Sequence, residues 1–174
     1  MQNVELKARV RDLARLRQTA ERVATEYLGW QHQIDTYFRC PRGRLKLREI
    51  EGQQAQLVGY MRPDATGSKV SDYRLTAVID AASLKQTLAA ALDVLVVVDK
   101  QREIFLYQNV RIHLDRVAGL GTFLEFEAVL SGEIDQAQGQ AQVVFLRGEF
   151  SIDPGDLLAL SYSDLLLRER EAIG

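Results

Sequence analysis

The stretch from Arg111 to Glu127, RIHLDRVAGLGTFLEFE, decides how the rest of the chain is read. Polar and apolar residues alternate on both sides of a glycine turn. Arg111, His113 and Asp115 therefore share one face of a strand, with Ile112 and Leu114 on the other. Beyond Gly119 and Gly121 the alternation resumes, setting Phe123, Glu125 and Glu127 opposite Leu124, Phe126 and Ala128. Two strands thus carry three carboxylates, an Arg and a His at same-parity positions. Such a face is either solvated, as one side of an antiparallel sheet commonly is, or it lines a charged cavity. Whether the other strands repeat the pattern separates the two readings.

The chain opens with a strand, Asn3 to Val10, in which Glu5, Lys7 and Arg9 alternate with apolar residues. Asp12 is a candidate N-cap for a helix carrying Leu13, Leu16, Ala20, Val23 and Tyr27 and ending at Gly29, with Tyr27 and Trp30 as packing at its end. Gln33, Asp35 and Tyr37 then alternate with Ile34, Thr36 and Phe38. After a turn at Pro41 to Gly43, Arg44, Lys46 and Arg48 alternate with Leu45 and Leu47. A further strand ends at Tyr60, Met61 and Arg62. The polar run from Pro63 to Ser71 reads as a loop long enough to act as a lid, with Lys69 in it, and Tyr73 to Val78 as another strand. Asp80 caps a helix bearing Leu84, Leu88, Ala91 and Leu92. Leu95 to Val98 is a short apolar strand leading into Lys100 and Arg102, which again share parity, and Ile104 to Tyr107 follows. After Glu133 the pattern becomes helical through Gly148, and a second short helical segment carries Leu157, Leu158, Tyr162, Leu165 and Leu166.

The recurrence favours the cavity. Polar strand faces stand opposite strongly apolar ones, and the amphipathic helices can cover only the apolar side. A sheet that curls with its apolar face outward against helices must enclose its polar face, and closing it also removes edge strands. About eight strands and helices outside them make an α+β chain. The expected architecture is a closed barrel with a polar interior, built as a single domain over residues 1–174. Bases outnumber acids on the enclosed face, so it suits a polyanion. The carboxylates Glu5, Asp115, Glu125 and Glu127 offer the hard oxygen ligands that Mg²⁺ or Mn²⁺ accept alongside substrate phosphates.

Composition narrows the remaining classes. The 174 residues are 47% hydrophobic and 26% charged with only 3 Pro, as expected of an ordered domain. A net charge of −2 gives no general argument for nucleic acid or an anionic membrane, so an anion site must be local. One Cys, Cys40, excludes an internal disulfide framework and a Cys-based zinc site. No apolar run is long enough to span a membrane and no basic-then-apolar leader follows Met1, which predicts a cytoplasmic protein without nucleic-acid or membrane partners. The Gly-rich phosphate loops of other nucleotide folds are absent.

Taken together, Glu5-Leu6-Lys7, Asp35-Thr36-Tyr37-Phe38, Gly43 to Glu49, Tyr60 with Arg62-Pro63-Asp64, Ser71-Asp72-Tyr73, Lys100 with Arg102, and Arg111 to Glu127 resemble the CYTH family of class IV adenylyl cyclases and thiamine triphosphatases. Ser161-Tyr162 and Asp164-Leu165-Leu166 are similar to the C-terminus of class IV cyclases. The resemblance implies a triphosphate tunnel formed by a closed eight-stranded antiparallel β-barrel, in a metalloenzyme dependent on Mg²⁺ or Mn²⁺. It makes Glu5 and Lys7 the second acid and the Lys of an N-terminal E-x-E-x-K signature, and Lys46, Arg48, Arg62, Lys100 and Arg102 phosphate-binding positions. Arg9, Arg44 and Arg111 are further candidate substrate-binding bases. Glu125 and Glu127 match the metal-binding acidic pair, Asp115 a nearby acid, and Glu5 completes the candidate metal set. Glu5, Lys7, Lys46, Arg48, Lys100 and Arg102 are the candidate catalytic residues. Asn3 departs from the signature, replacing its first Glu with an uncharged amide.

The leading expectation is an adenylyl cyclase converting ATP to cyclic AMP and pyrophosphate. A hydrolase of inorganic triphosphate or thiamine triphosphate is the runner-up, and a non-catalytic nucleotide- or polyphosphate-binding module is the third reading. The resemblance also implies a homodimer.

Overall fold

The structure, a computed structural model, describes residues 2–61 and 69–173. Its strands are β1 (Gln2–Arg9), β2 (Glu26–Phe38), β3 (Arg44–Ile50), β4 (Ala55–Met61), β5 (Lys69–Val78), β6 (Val94–Tyr107), β7 (Val110–Val117) and β8 (Gly121–Val129). The helices are α1 (Leu13–Val23), α2 (Ala81–Leu92), α3 (Gln136–Glu149) and α4 (Tyr162–Ile173), with a short 3₁₀ turn at Pro154–Asp156. All eight strands pair antiparallel in one ring, in the order β1-β5-β4-β3-β2-β6-β7-β8. β1 closes it, pairing with β5 on one side and β8 on the other.

The closed α+β barrel follows from the alternation. Val4, Leu6 and Ala8 of β1, Ile112 and Leu114 of β7, and Leu124, Phe126 and Ala128 of β8 all point outward. There they meet Leu13, Leu16 and Ala20 of α1 and Val143 and Leu146 of α3. Each large apolar side chain so buried contributes about 1.5–3 kcal/mol, which is what holds the sheet inside out around its charged face. Gly139 lets α3 lie close: a Cβ there would stand 2.8 Å from a Leu130 methyl. On the other flank α2 lays Leu84, Leu88 and Leu92 over Phe38, Leu47, Ala55 and Val78.

Several local expectations are corrected. α1 starts at its Asp12 cap, whose side chain accepts from the Arg15 amide, but ends at Val23 rather than Gly29. From Thr25, whose amide donates to the Leu106 carbonyl at 2.7 Å, the chain has already joined β6. Gly29, at φ +91°, sits at an irregularity in the β2–β6 register, where a left-handed backbone suits glycine. Tyr27 and Trp30 are therefore strand residues. Tyr27 packs against Phe105 in a tilted ring pair with centroids 4.8 Å apart. β6 is one continuous strand through Lys100 and Arg102. β5 begins at Lys69, so the loop expected to reach Ser71 is shorter, and its remainder, with Arg62, lies outside the described residues.

The interior is not polar throughout. Tyr37, Val96, Val98, Val117 and Phe123, at positions of the inward-facing parity, form an apolar floor at one end with Leu120 of the β7–β8 turn. Tyr162, with Leu158, Leu165 and Leu166, packs on that floor from α4 and the segment before it. The tunnel is thus stoppered at one end by the C-terminal helix.

Candidate functional site

Above that floor the barrel encloses a cavity of about 370 Å³. Its wall carries Lys7 from β1, Lys46 and Arg48 from β3, Lys100 and Arg102 from β6, and Arg111 from β7. The acids on the same wall are Glu5, Asp35, Glu125 and Glu127. These inward positions are those the alternation selected, so strand parity alone brings them together.

The charges fall into two connected groups. In the first, Asp35, 1% exposed, accepts from Lys46 Nζ at 2.9 Å, Lys100 Nζ at 2.7 Å, and Arg48 Nε and Nη2 at 2.7 and 2.9 Å. Burial alone would raise the Asp35 carboxyl, but Arg48, Lys100 and Lys46 outweigh it and hold it well below the usual carboxylate range. Burial pushes Lys100 well below the ordinary lysine range against the pull of Asp35, with Arg48, Arg102 and Lys46 adding to the push.

In the second group, Arg102 grips Asp115 side-on, Nε to Oδ1 at 2.7 Å and Nη2 to Oδ2 at 2.6 Å, and reaches Glu125 Oε2 at 2.7 Å. Lys7 Nζ lies 3.2 Å from Glu125 Oε1 and 3.7 Å from the centroid of the Tyr162 ring. The Tyr162 hydroxyl donates to Asp115 Oδ2 at 2.6 Å. Burial opposes ionisation of Glu125, yet Lys7, His113 and Arg102 bring its carboxyl well below the ordinary range. His113 Nδ1 lies 3.5 Å from Glu125 Oε2, and burial with the Arg102 charge lowers the imidazole against the pull of the glutamates.

Three residues expected at the site stand elsewhere. Asp115 is completely buried and does not line the cavity, because it lies behind Arg102. Arg9 is exposed at the floor end, donating to the Leu120 carbonyl at 2.8 Å and lying over the Phe123 ring. Arg44 pairs with Asp164 of α4 at 2.8 Å, which ties the stopper to the barrel.

The donors suit a hard divalent cation in kind. Glu5 and Glu127 are directly opposed in the β1–β8 register, a like-charge pairing that a cation would relieve. Asn3, whose Nδ2 donates to Glu127 Oε1, keeps a buried Oδ1 with no hydrogen-bond partner. Glu127 also pairs with Arg111 at 3.1 Å. Among the described residues no three His, Cys, Asp or Glu side chains converge on one point, since Glu125 and Glu127 turn toward bases.

A family model for the CYTH domain matches residues 1–162. The chain belongs to the CYTH domain family. No curated protein matches it closely enough to register. The CYTH fold here is similar to solved structures across nearly its full length. With a Pyrococcus horikoshii protein the TM-score is 0.83 at 21% identity, covering 94% of this chain and 98% of that one. With a candidate adenylate cyclase from Vibrio parahaemolyticus it is 0.78 at 23% identity, covering 94% and 97%. With HpAC1 from Hippeastrum, a candidate adenylyl cyclase described as having a dominant triphosphatase activity, it is 0.67 at 12% identity, covering 97% and 96%. At these identities the likeness is one of fold, that of the CYTH triphosphate tunnel. No described helix is long and apolar enough to cross a membrane.

The CYTH cavity also holds residues that had no assigned role. Gln31, Gln33, Gln53 and Gln56 line it together with Leu28, Ile50, Leu75 and Ile104. Gln33 was already placed on the Asp35 face by the alternation, and extending that alternation two residues further would have found Gln31. Tyr162 comes from a helix outside the sheet, and no strand periodicity points to it.

Proposed function

We propose that this protein is a divalent-metal-dependent enzyme acting on a triphosphate, of the class IV adenylyl cyclase type, which converts ATP to cyclic AMP and pyrophosphate. The observation that carries the reading is the barrel wall, where Lys7, Lys46, Arg48, Lys100, Arg102 and Arg111 converge on one cavity. A polyphosphate is the ligand whose charge and length such a wall complements. The preference for a nucleotide rests on the opposite end from the α4 stopper, where aliphatic Leu28, Ile50, Leu75 and Ile104 alternate with glutamine amides. A phosphate chain has little use for such a rim. A nucleoside has a flat apolar base to cover and hydroxyl and amino donors for the amide oxygens.

In the reaction a bond forms from the ribose 3′ oxygen to the α-phosphorus while the bond from that phosphorus to the pyrophosphate oxygen breaks, and the hydroxyl proton passes to solvent. Lys46, Arg48, Lys100 and Arg102 grip the triphosphate and stabilise the charge gathering on the departing pyrophosphate. Lys7, held between Glu125 and the Tyr162 ring, adds a cation from β1. Glu5, Glu125 and Glu127, with the Asn3 amide oxygen beside them, are the residues to hold Mg²⁺ or Mn²⁺, which when bound supplies Lewis-acid activation and charge neutralisation at the phosphates. Asp115 is left out of this set because Arg102 and Tyr162 already engage it. By family resemblance we also expect a homodimer, which sedimentation analysis tests.

A second reading is hydrolysis of a triphosphate in the same tunnel. It is supported by HpAC1, which shares the fold and is described as predominantly a triphosphatase. Product analysis separates the two. The protein is incubated with ATP, inorganic triphosphate and thiamine triphosphate in turn, with Mg²⁺ or Mn²⁺, and products are resolved by phosphorus NMR. Cyclic AMP with pyrophosphate establishes the cyclase. Orthophosphate without cyclic AMP establishes the hydrolase, and no turnover of any of the three overturns both.

A further inference from the structure

Asp35 has no part in the reaction just described, yet three cations from two strands converge on it. It accepts four hydrogen bonds from Lys46, Arg48 and Lys100. A carboxylate serving stability alone can sit shielded behind its partners, as Asp115 does. Asp35 instead lines the cavity beside all three cations, and one negative charge among three positive ones leaves excess positive charge in a wall where Lys100 is 2% exposed. Buried excess charge is unfavourable, and an anion entering the cavity relieves it. None of the three bases spends all its N–H donors on Asp35. We propose that Asp35 is a positioning residue for phosphate binding, gathering Lys46, Arg48 and Lys100 on one carboxylate so that their remaining donors meet a phosphate chain as a preformed unit. The inference rests on the triphosphate reading of the cavity.

The geometry has a consequence for Lys100. Facing its ammonium are Asp35 from β2, Lys46 and Arg48 from β3, Arg102 from its own strand, and the Tyr162 ring of α4 at 6.0 Å. Asp35 is the anion among them that favours the charged ammonium, while burial and the three cations favour the neutral amine. Removing the Asp35 charge therefore makes Lys100 lose its proton at lower pH, and an amine grips phosphate less well than an ammonium.

The test is calorimetric binding of inorganic triphosphate in EDTA-containing buffer from pH 6 to pH 10, for the wild type and Asp35→Asn, with melting curves to confirm folding. The ligand's own ionisation is common to both proteins and cancels in the comparison. The expected result is that affinity falls off in alkali for both, with the midpoint for Asp35→Asn lower by about one to three pH units, the usual effect of one close counter-charge. A folded Asp35→Asn protein with the wild-type midpoint overturns the role of Asp35 alone. Failure of the wild type to bind triphosphate at any pH overturns the proposed function and this role with it. Should Asp35→Asn not fold, Lys46→Met replaces it. Removing a cation that repels the Lys100 ammonium moves the midpoint upward, and an unmoved midpoint overturns the proposal.

Discussion

Arg102 and Asp115 form a side-on bidentate pair from neighbouring strands, directly opposed in the β6–β7 register, with the carboxylate wholly buried. The same geometry recurs between Arg48 and Asp35 in the β2–β3 pair. Each arginine is thereby fixed at its Nε edge before substrate arrives, and such preorganisation favours tight binding because less side-chain freedom is lost on association.

Asp115→Ala should consequently lower stability without lowering metal affinity. Breaking a buried pair from one side costs about 3–5 kcal/mol, since Arg102 is left facing Glu125 alone and Tyr162 loses its acceptor. Chemical denaturation measures the first effect and Mn²⁺ titration the second. A marked loss of Mn²⁺ affinity in a folded variant would return Asp115 to the metal set.

Glu127→Ala is expected to abolish metal-dependent turnover while leaving the fold intact, because the side chain faces the cavity rather than the core. Asn3→Glu acts in the opposite direction. It sets a third carboxylate beside Glu5 and Glu127, so the metal-free protein should melt lower and the Mn²⁺-loaded protein bind the ion more tightly. Equal Mn²⁺ affinity for Asn3→Glu and wild type would contradict the placement of the ion.

Tyr162→Phe removes one hydroxyl and keeps the ring under Lys7. The expected loss is about 1–3 kcal/mol, the cost of a buried acceptor left short of a donor, readable as a lower denaturation midpoint. Tyr162→Ala should lose more, because it also opens the apolar floor beside Phe123.

Leu75→Ala, at the rim, should raise KM for ATP roughly 5- to 150-fold while leaving the affinity for inorganic triphosphate unchanged, since shaving an apolar contact is worth about 1–3 kcal/mol only to a ligand that covers it. Equal losses for both ligands would place the nucleoside elsewhere.

Acid should act through Asp35. Its folded carboxyl titrates well below the unfolded value near 4, so its contribution to stability is whole above about pH 5 and drains as pH falls through 4 toward the folded value. Asp35→Asn should flatten that part of the acid limb in denaturation midpoints measured from pH 6 to pH 2.

Much of this site was legible because a strand alternates with a period that admits no ambiguity about faces. Lys46, Arg48, Lys100, Arg102, Glu125 and Glu127 all point where parity put them. Parity says which face a residue occupies but not how far along the barrel it lies. That is why Arg9 and Arg44, on correctly assigned faces, stand outside the cavity, and why Phe123, of the same parity as Glu125, belongs to the floor. Nor does it report depth behind a partner, which separates Asp115 from the cavity it was expected to line. The overrun of α1 to Gly29 has a different origin: apolar spacing continued past Val23, but pairing with β6 took over at Thr25.

The closure of the ring by β1 bears on the order in which the molecule can be made. Asn3 lies opposite both Ser71 and Val129, so the opening strand cannot complete its second seam until the ribosome has released the eighth. Until then its Val4, Leu6 and Ala8 lack the α3 surface that covers them. Contacts so distant along the chain are slow to form, because a long loop must close before any of them stabilises it. The barrel should accordingly close only once β8 and α3 have emerged, and the chain emerging before then is when this protein is most exposed to aggregation.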